Sequence, residues 1–417
     1  MNRQPGQRGA VFQLAALSAA TILGMTPWFS ATVAAPGMMA EWGTGPATAA
    51  WLTIAVQLGF VAGTCLSAGL MLSDRFSARK LAAGCALGAG VATLLLVRRD
   101  TGLNQAIVLR AITGIALAGV YPPGIKIAAG WWRERRGTAI GILVGALTIG
   151  SAAPNLLRLG IDVSQWRTIV VAAAVGAMIS AAVFALVVRE GPFQAPSAPF
   201  NPRALRAVLQ DRGVLLATAG YLGHMWELYA MWSSIGAFWM YVAAQRSIAP
   251  SVAAVFAFAT IAAGTLGCVI AGIAGDRVGR PLVTIVAMAL SGTCAILIGT
   301  LVSAPLVLLI AVAIIWGVSI VADSAQFSAS VTELAPSRYV GTAITMQTCV
   351  GFLLTIVTIR LVPVWADLWG WERAYVPLAI GPALGIVAMW RLQRSTRAHA
   401  LGIPLEQLTR GPNTHDQ

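Results

Sequence analysis

The sequence predicts an all-α integral membrane protein with twelve transmembrane helices in two six-helix halves. Three observations carry this. Of the 417 residues, 58% are hydrophobic and only 10% charged, against roughly 25% charged in a soluble chain. So little charge cannot cover a water-facing surface, and lipid must be the missing solvent. Apolar stretches of the ~20 residues that cross a bilayer fill the chain, and landmarks of its first half recur in its second. Inside lipid the backbone must satisfy its own hydrogen bonds, which makes each stretch a helix.

The first stretch, 11–35, follows a basic N-terminus, MNRQPGQR, and ATVAAP at 31–36 looks like a cleavage site. The run exceeds the 7–15 residues of a signal h-region, so it reads as an uncleaved first span. Further spans are expected at 48–72, 80–97, 103–130, 138–158 and 166–188, then at 213–243, 249–274, 281–302, 304–332, 340–364 and 373–392. The 43 glycines suit helices packed through small residues, with GxxxG spacings such as Gly84–Gly88 and Gly141–Gly145. The long polar insert REGPFQAPSAPFNPRALRAVLQDR, with four prolines, links the halves. The expected division is 1–188 and 213–395 for the two bundles, 189–212 for a cytoplasmic linker, and 396–417 for a polar tail.

The net charge of +13 does not point to nucleic acid. Lys and Arg sit in short clusters between apolar stretches rather than on one face. With both termini inside, nineteen of the 28 fall on the cytoplasmic side and seven outside, the bias that sets orientation in a bacterial-type inner membrane. Cys65, Cys85, Cys268, Cys294 and Cys349 all lie in apolar stretches and form no CxxC pair, which predicts buried bystander thiols rather than disulfides or a metal site.

The internal repeat is specific. SDRFSARK at 73–80 recurs as GDRVGRP at 275–281, GTAIG at 137–141 as GTAIT at 341–345, and Trp166–Arg167 has its counterpart in Trp371-Glu372-Arg373. A parallel repeat of six plus six implies two bundles about an axis along the membrane normal, with a substrate site between them.

On these residues the chain resembles the major facilitator superfamily over nearly its whole length. The family's loop after the second span appears as GLMLSDRFSARK, with Gly69, Asp74, Arg75, Arg79 and Lys80. Its later copy, GIAGDRVGRP, supplies Gly272, Asp276, Arg277 and Arg280. The first copy has Phe-Ser where the family favours an apolar residue and Gly. Both aspartates are placed to accept from helix N-termini as a cytoplasmic gate; the alternative is a solvated loop that only obeys the charge bias. GVYPPGIKIAAGWWRERRG and GHMWELYAMW resemble segments of nitrate-, cyanate- or organic-anion-like permeases. GILVGALTIGSAAP lacks the arrangement of the drug-antiporter motif.

Ionisable groups inside a membrane are costly and are functional candidates by default: Arg110 and Lys126 in span four, His224 and Glu227 in span seven, Asp323 in span ten. The resemblance implies that these spans line a central cavity, with Trp28, Tyr121 and Gln347 beside them. Arg110 holds an anion or tunes a carboxylate, or else bonds helix carbonyls; Lys126 meets substrate or snorkels. His224 and Glu227, three apart, share a helix face and either titrate or form a structural pair. Asp323 is the leading proton site.

The expected function is secondary transport by alternating access, as a monomer, of a small molecule with protons. A small anion is the leading substrate, and export of amphipathic or cationic compounds is the alternative. No phosphate-binding loop, HExxH or nucleophile elbow appears, so neither an enzyme nor a cofactor or metal is expected.

Overall fold

Proline and glycine decide where these helices break. The computed structural model describes residues 7–70, 72, 76–132, 136–159, 161–193, 205–336 and 339–395. Span 1 is Gln7–Met25 followed by Pro27–Trp42. Spans 2 to 6 are Pro46–Gly69, Ala78–Leu95, Leu103–Leu117 with Tyr121–Trp131, Arg136–Leu156, and Trp166–Leu186. A short helix, Leu205–Gln210, precedes span 7, Arg212–Arg246. Spans 8 to 12 are Pro250–Ala262 with Gly264–Val278, Arg280–Thr300, Leu306–Ala322 with Ser324–Leu334, Val340–Trp369, and Ile380–Gln393. Eleven of these are long and apolar enough to cross a membrane; span 7, at 35 residues, is the twelfth and falls short of that apolarity.

The break in span 1 shows the local chemistry. Pro27 has no N–H to give Leu23, and the Thr26 hydroxyl takes that carbonyl at 2.7 Å while also reaching Ala173 O of span 6 at 3.0 Å. Span 1 therefore extends to Trp42, past the expected end at 35.

Contacts between spans repeat with an offset of six. Pairs 1–5, 1–6, 2–4, 3–4 and 3–6 have their counterparts in 7–11, 7–12, 8–10, 9–10 and 9–12. Across the halves the principal seams are 2–11 and 5–8, again one relation applied twice. The result is two pseudo-symmetric six-helix bundles. The 2–4 and 8–10 crossings are pinched by glycine in both halves. A Cβ on Gly114 would lie 2.1 Å from Val56 O, and one on Gly317 would lie 1.7 Å from Thr260 O, so only glycine lets these backbones meet.

The repeated tryptophan segments tie span ends away from the N-terminal side. Glu41 of span 1 accepts from Trp166 Nε1 at 3.0 Å and from both terminal nitrogens of Arg167 at 2.5 and 2.6 Å. In the other half, Glu372 accepts from Tyr241 of span 7 at 2.5 Å.

Candidate functional site: a cavity between the two halves

A cavity of about 840 Å³ lies between the halves. Its walls are largely apolar and aromatic: Trp28, Phe60, Tyr121, Ile125, Val144, Tyr221, Tyr229, Trp232 and Phe352, from spans 1, 2, 4, 5, 7 and 11. It reaches the end of the bundle that carries the N-terminus, where Asp276, Arg280 and Glu333 supply the only charges among its described lining residues. At mid-depth it stops against an aromatic plug. Phe60 and Phe352 rings are 4.5 Å apart, Trp28 and Phe60 5.0 Å, and Tyr229 lies 5.1 Å from Phe352 and 5.6 Å from Trp232. Both halves contribute, so the plug is also a joint between them.

At the mouth, Arg280 donates to Glu333 at 2.9 Å and to Gln326 Oε1 at 2.9 Å, while Gln326 Nε2 donates to Ala271 O at 3.1 Å. This cluster ties the start of span 9 to span 10 and places a compensated charge pair at the entrance. Sequence reasoning named Arg280 and missed Glu333, whose partner is 53 residues away. Gly279, with φ +87°, turns the chain between spans 8 and 9, a conformation natural to glycine. In the earlier copy Ser77 instead caps span 3, accepting from the Lys80 N–H at 3.4 Å. Arg79 there donates to the Ala185 and Val188 carbonyls.

The second aspartate of the repeated motif faces a helix N-terminus. A Cβ on Gly137, in the first turn of span 5, would come 3.0 Å from Asp276 Oδ2, and one on Gly272 would come 3.2 Å from Gly137 O. Asp276 thus sits across the seam on the positive end of the helix dipole. Arg277 is exposed at the end of span 8, and Gly69, ending span 2, has nothing near it. Asp74 and Arg75 lie outside the described residues.

Just behind the cavity wall are three titratable side chains. Asp323 occupies the joint between the two helices of span 10, and its Oδ1 lies 2.8 Å from His224 Nδ1, both side chains buried. Glu227, one turn further along span 7, accepts from Trp316 Nε1 at 2.6 Å and from Ser291 Oγ at 2.8 Å. Tyr221 and Phe327 stand beside His224, with ring centres 6.1 and 5.6 Å away, and Tyr221 itself lines the cavity.

Arg110 makes the carbonyl bonds that were one of its two expected roles. It is fully buried but outside the cavity wall, donating to Leu52 O at 3.2 Å, Pro27 O at 2.7 Å and Trp28 O. It staples span 4 to spans 1 and 2 where Pro27 breaks the helix. Lys126 is half-buried on span 4 and also lies off the wall, one position from Ile125. Gln347 is buried on span 11 between Ile344 and Thr348, which do line the cavity. Trp28 and Tyr121 line the cavity, and Trp226 donates to Pro377 O at 3.1 Å.

The Major Facilitator Superfamily family model matches residues 17–235, more than half of the chain. The chain belongs to the Major Facilitator Superfamily. This facilitator is 28% identical over 170 residues to the MFS-type transporter pytF of Aspergillus terreus, a match spanning 40% of this chain and 55% of that one; it thus covers just over half the length of that relative. Among solved structures, a bacterial homologue of the human lysosomal transporter Spinster, inward-facing and occupied, aligns with TM-score 0.69 at 14% identity, over 94% of this chain and 98% of that one. The proton:xylose symporter XylE aligns with TM-score 0.69 at 14% identity, over 96% and 99%. At these identities the likeness is one of fold. The chain is a multi-pass membrane protein of this transporter superfamily.

Proposed function

We propose that this facilitator moves an uncharged or amphipathic organic molecule with an apolar, aromatic body, coupled to protons. The observation that carries the reading is the charge distribution of the cavity. Its only described charges, Asp276, Arg280 and Glu333, stand at the mouth, and the deep end is built of Trp28, Phe60, Tyr229, Trp232 and Phe352. A small anion taken into so apolar a space needs a positive partner to offset its lost hydration. The two intramembrane cations that would supply one, Arg110 and Lys126, are off the wall. The volume of about 840 Å³ suits a drug-sized molecule.

Proton coupling is assigned to the His224–Asp323 pair, with Glu227 beside it. The contact ties span 7 to span 10 inside the bundle, so a proton loaded or removed there would alter how the two spans hold each other. The bundles 1–188 and 213–395 would rock about the cavity, with 189–212 as their tether and both termini in the cytoplasm of a bacterial-type inner membrane. Movement of amphipathic compounds suits such a wall, whereas a small anion would meet only Arg280 at the mouth, already paired with Glu333, and no cation at the deep end.

The test is purified protein in liposomes loaded with a pH-sensitive dye. Aromatic amphipaths are expected to drive proton movement, whereas formate, acetate, nitrate and cyanate are not. A response confined to the small anions would overturn the reading.

A further inference from the structure

Cys65 of span 2 and Cys349 of span 11 lie with their sulfurs 3.2 Å apart. They come from opposite halves, and spans 2 and 11 form one of the two principal seams between the bundles. Cys65 is exposed, four residues before span 2 ends at Gly69, and Cys349 is half-buried. This corrects the expectation that all five thiols are buried bystanders. The others do behave that way: Cys268 and Cys294 are buried, and Cys85 packs where a Cβ on Gly119 would touch its sulfur.

We propose that Cys65 and Cys349 form an oxidisable dithiol that hydrogen peroxide converts into a disulfide, fastening one half of the transporter to the other. The sulfurs need to close by only about 1 Å to reach bonding distance. One thiolate attacks a peroxide oxygen: an S–O bond forms, the O–O bond breaks, and the departing hydroxide takes up the thiol proton as water. The second thiolate then attacks the sulfenic sulfur, the S–S bond forms, the S–O bond breaks, and a second water leaves. Two thiols lose two electrons and one peroxide becomes two waters. Peroxide is small and uncharged, and Cys65 is exposed close to the end of span 2.

The consequence is conformational. Alternating access moves the bundles as bodies, so their seams must separate at one end in some state of the cycle. A covalent bond across the 2–11 seam holds that end in the arrangement seen here, whereas the 5–8 seam, with Gly137, Gly141 and Gly145 against span 8, has no thiol pair among the described residues. Oxidation therefore arrests the cycle without touching the cavity.

The test uses the full-length protein in liposomes, carrying a protease site inserted between residues 194 and 204. After hydrogen peroxide and then protease, the halves should stay joined on a non-reducing gel and part after reduction. Cys65→Ser and Cys349→Ser should each abolish the joined band, and Cys85→Ser should not. Amide hydrogen exchange near residues 60–69 and 340–349 should slow roughly tenfold in the joined protein, as opening of that end is lost. Halves that part without reductant, a joined band surviving in Cys65→Ser, or joined halves with unchanged exchange would each overturn the proposal. None of these readouts depends on which molecule is transported, so failure of the proposed substrate class leaves them intact.

Discussion

The imidazole Nδ1 of His224 lies 2.8 Å from Asp323 Oδ1, joining the middle of span 7 to the joint of span 10 behind the cavity wall. Neither side chain reaches solvent, so the contact fastens the two helices to each other inside the bundle. Asp323→Asn keeps the shape and removes the charge. The expected outcome is a folded protein that binds and exchanges solute but moves no protons, read with the dye-loaded liposomes. Proton movement at the wild-type rate in this variant would remove Asp323 from the coupling.

Glu227 is held by two donors, Trp316 Nε1 and Ser291 Oγ. Glu227→Gln keeps an acceptor for the indole and lets the serine hydroxyl reverse its role, so stability should change little. Glu227→Leu leaves both partners unpaired in the bundle and should cost on the order of 2 kcal/mol, seen as a lower midpoint in thermal unfolding of the detergent-solubilised protein. Equal stability of the two variants would show that these hydrogen bonds are not what the carboxylate contributes.

Arg110 is expected to act on stability rather than on solute. Arg110→Met removes three hydrogen bonds to carbonyls of spans 1 and 2 and should lower stability by about 2 kcal/mol, while the affinity for any transported aromatic amphipath stays within about twofold. A large loss of affinity with unchanged stability would return Arg110 to the site.

How much of this was legible beforehand follows from what sequence can carry. The apolar stretches, the doubled Asp-Arg loop and the charge bias reflect the solvent and the repeat, and they announced a fold of two bundles. The same polarity rule that picked out Arg110 could not tell whether its guanidinium meets a solute or a neighbouring carbonyl. That depends on the Pro27 break in span 1, 83 residues away. His224 and Asp323 were both named, but their contact spans 99 positions and follows only from how spans 7 and 10 cross. Phe60 and Phe352 drew no notice because an aromatic in a membrane helix is ordinarily packing. Their importance lies in meeting each other.

That meeting yields a prediction about leakage. Phe60 and Phe352 rings, 4.5 Å apart, close the plug between spans 2 and 11. Phe352→Ala removes the central ring, which also touches Trp28 and Tyr229. Solute should then cross liposomes without a proton gradient and without proton movement. A tight, fully coupled variant would show that closure is made elsewhere.

The glycine pinch in the second half is equally direct. Gly317→Val puts carbon where Thr260 O already lies, forcing spans 8 and 10 apart, and the protein should fail to accumulate in the membrane. Gly69→Ala, where a Cβ meets nothing within 4 Å, is the matched control and should accumulate normally. Comparable yields of the two, measured by quantitative immunoblot of membranes, would contradict the packing described.

Span 7 bears on how the chain is made. Among the described residues it is the one long helix not apolar enough, by composition, to cross a membrane unaided, because its buried face carries His224, Glu227 and a run of tyrosines and tryptophans. In the finished protein His224 and Glu227 find their partners on spans 9 and 10, and the rest of span 7 packs mainly on spans 11 and 12, all of which leave the ribosome later. During synthesis span 7 therefore emerges before its shelter exists. It must wait at the insertion machinery, or against spans already in place, until the end of the chain arrives. The polarity that equips the helix for its work thus makes assembly of the second bundle an event of late synthesis, and truncation before span 9 should leave span 7 outside the lipid.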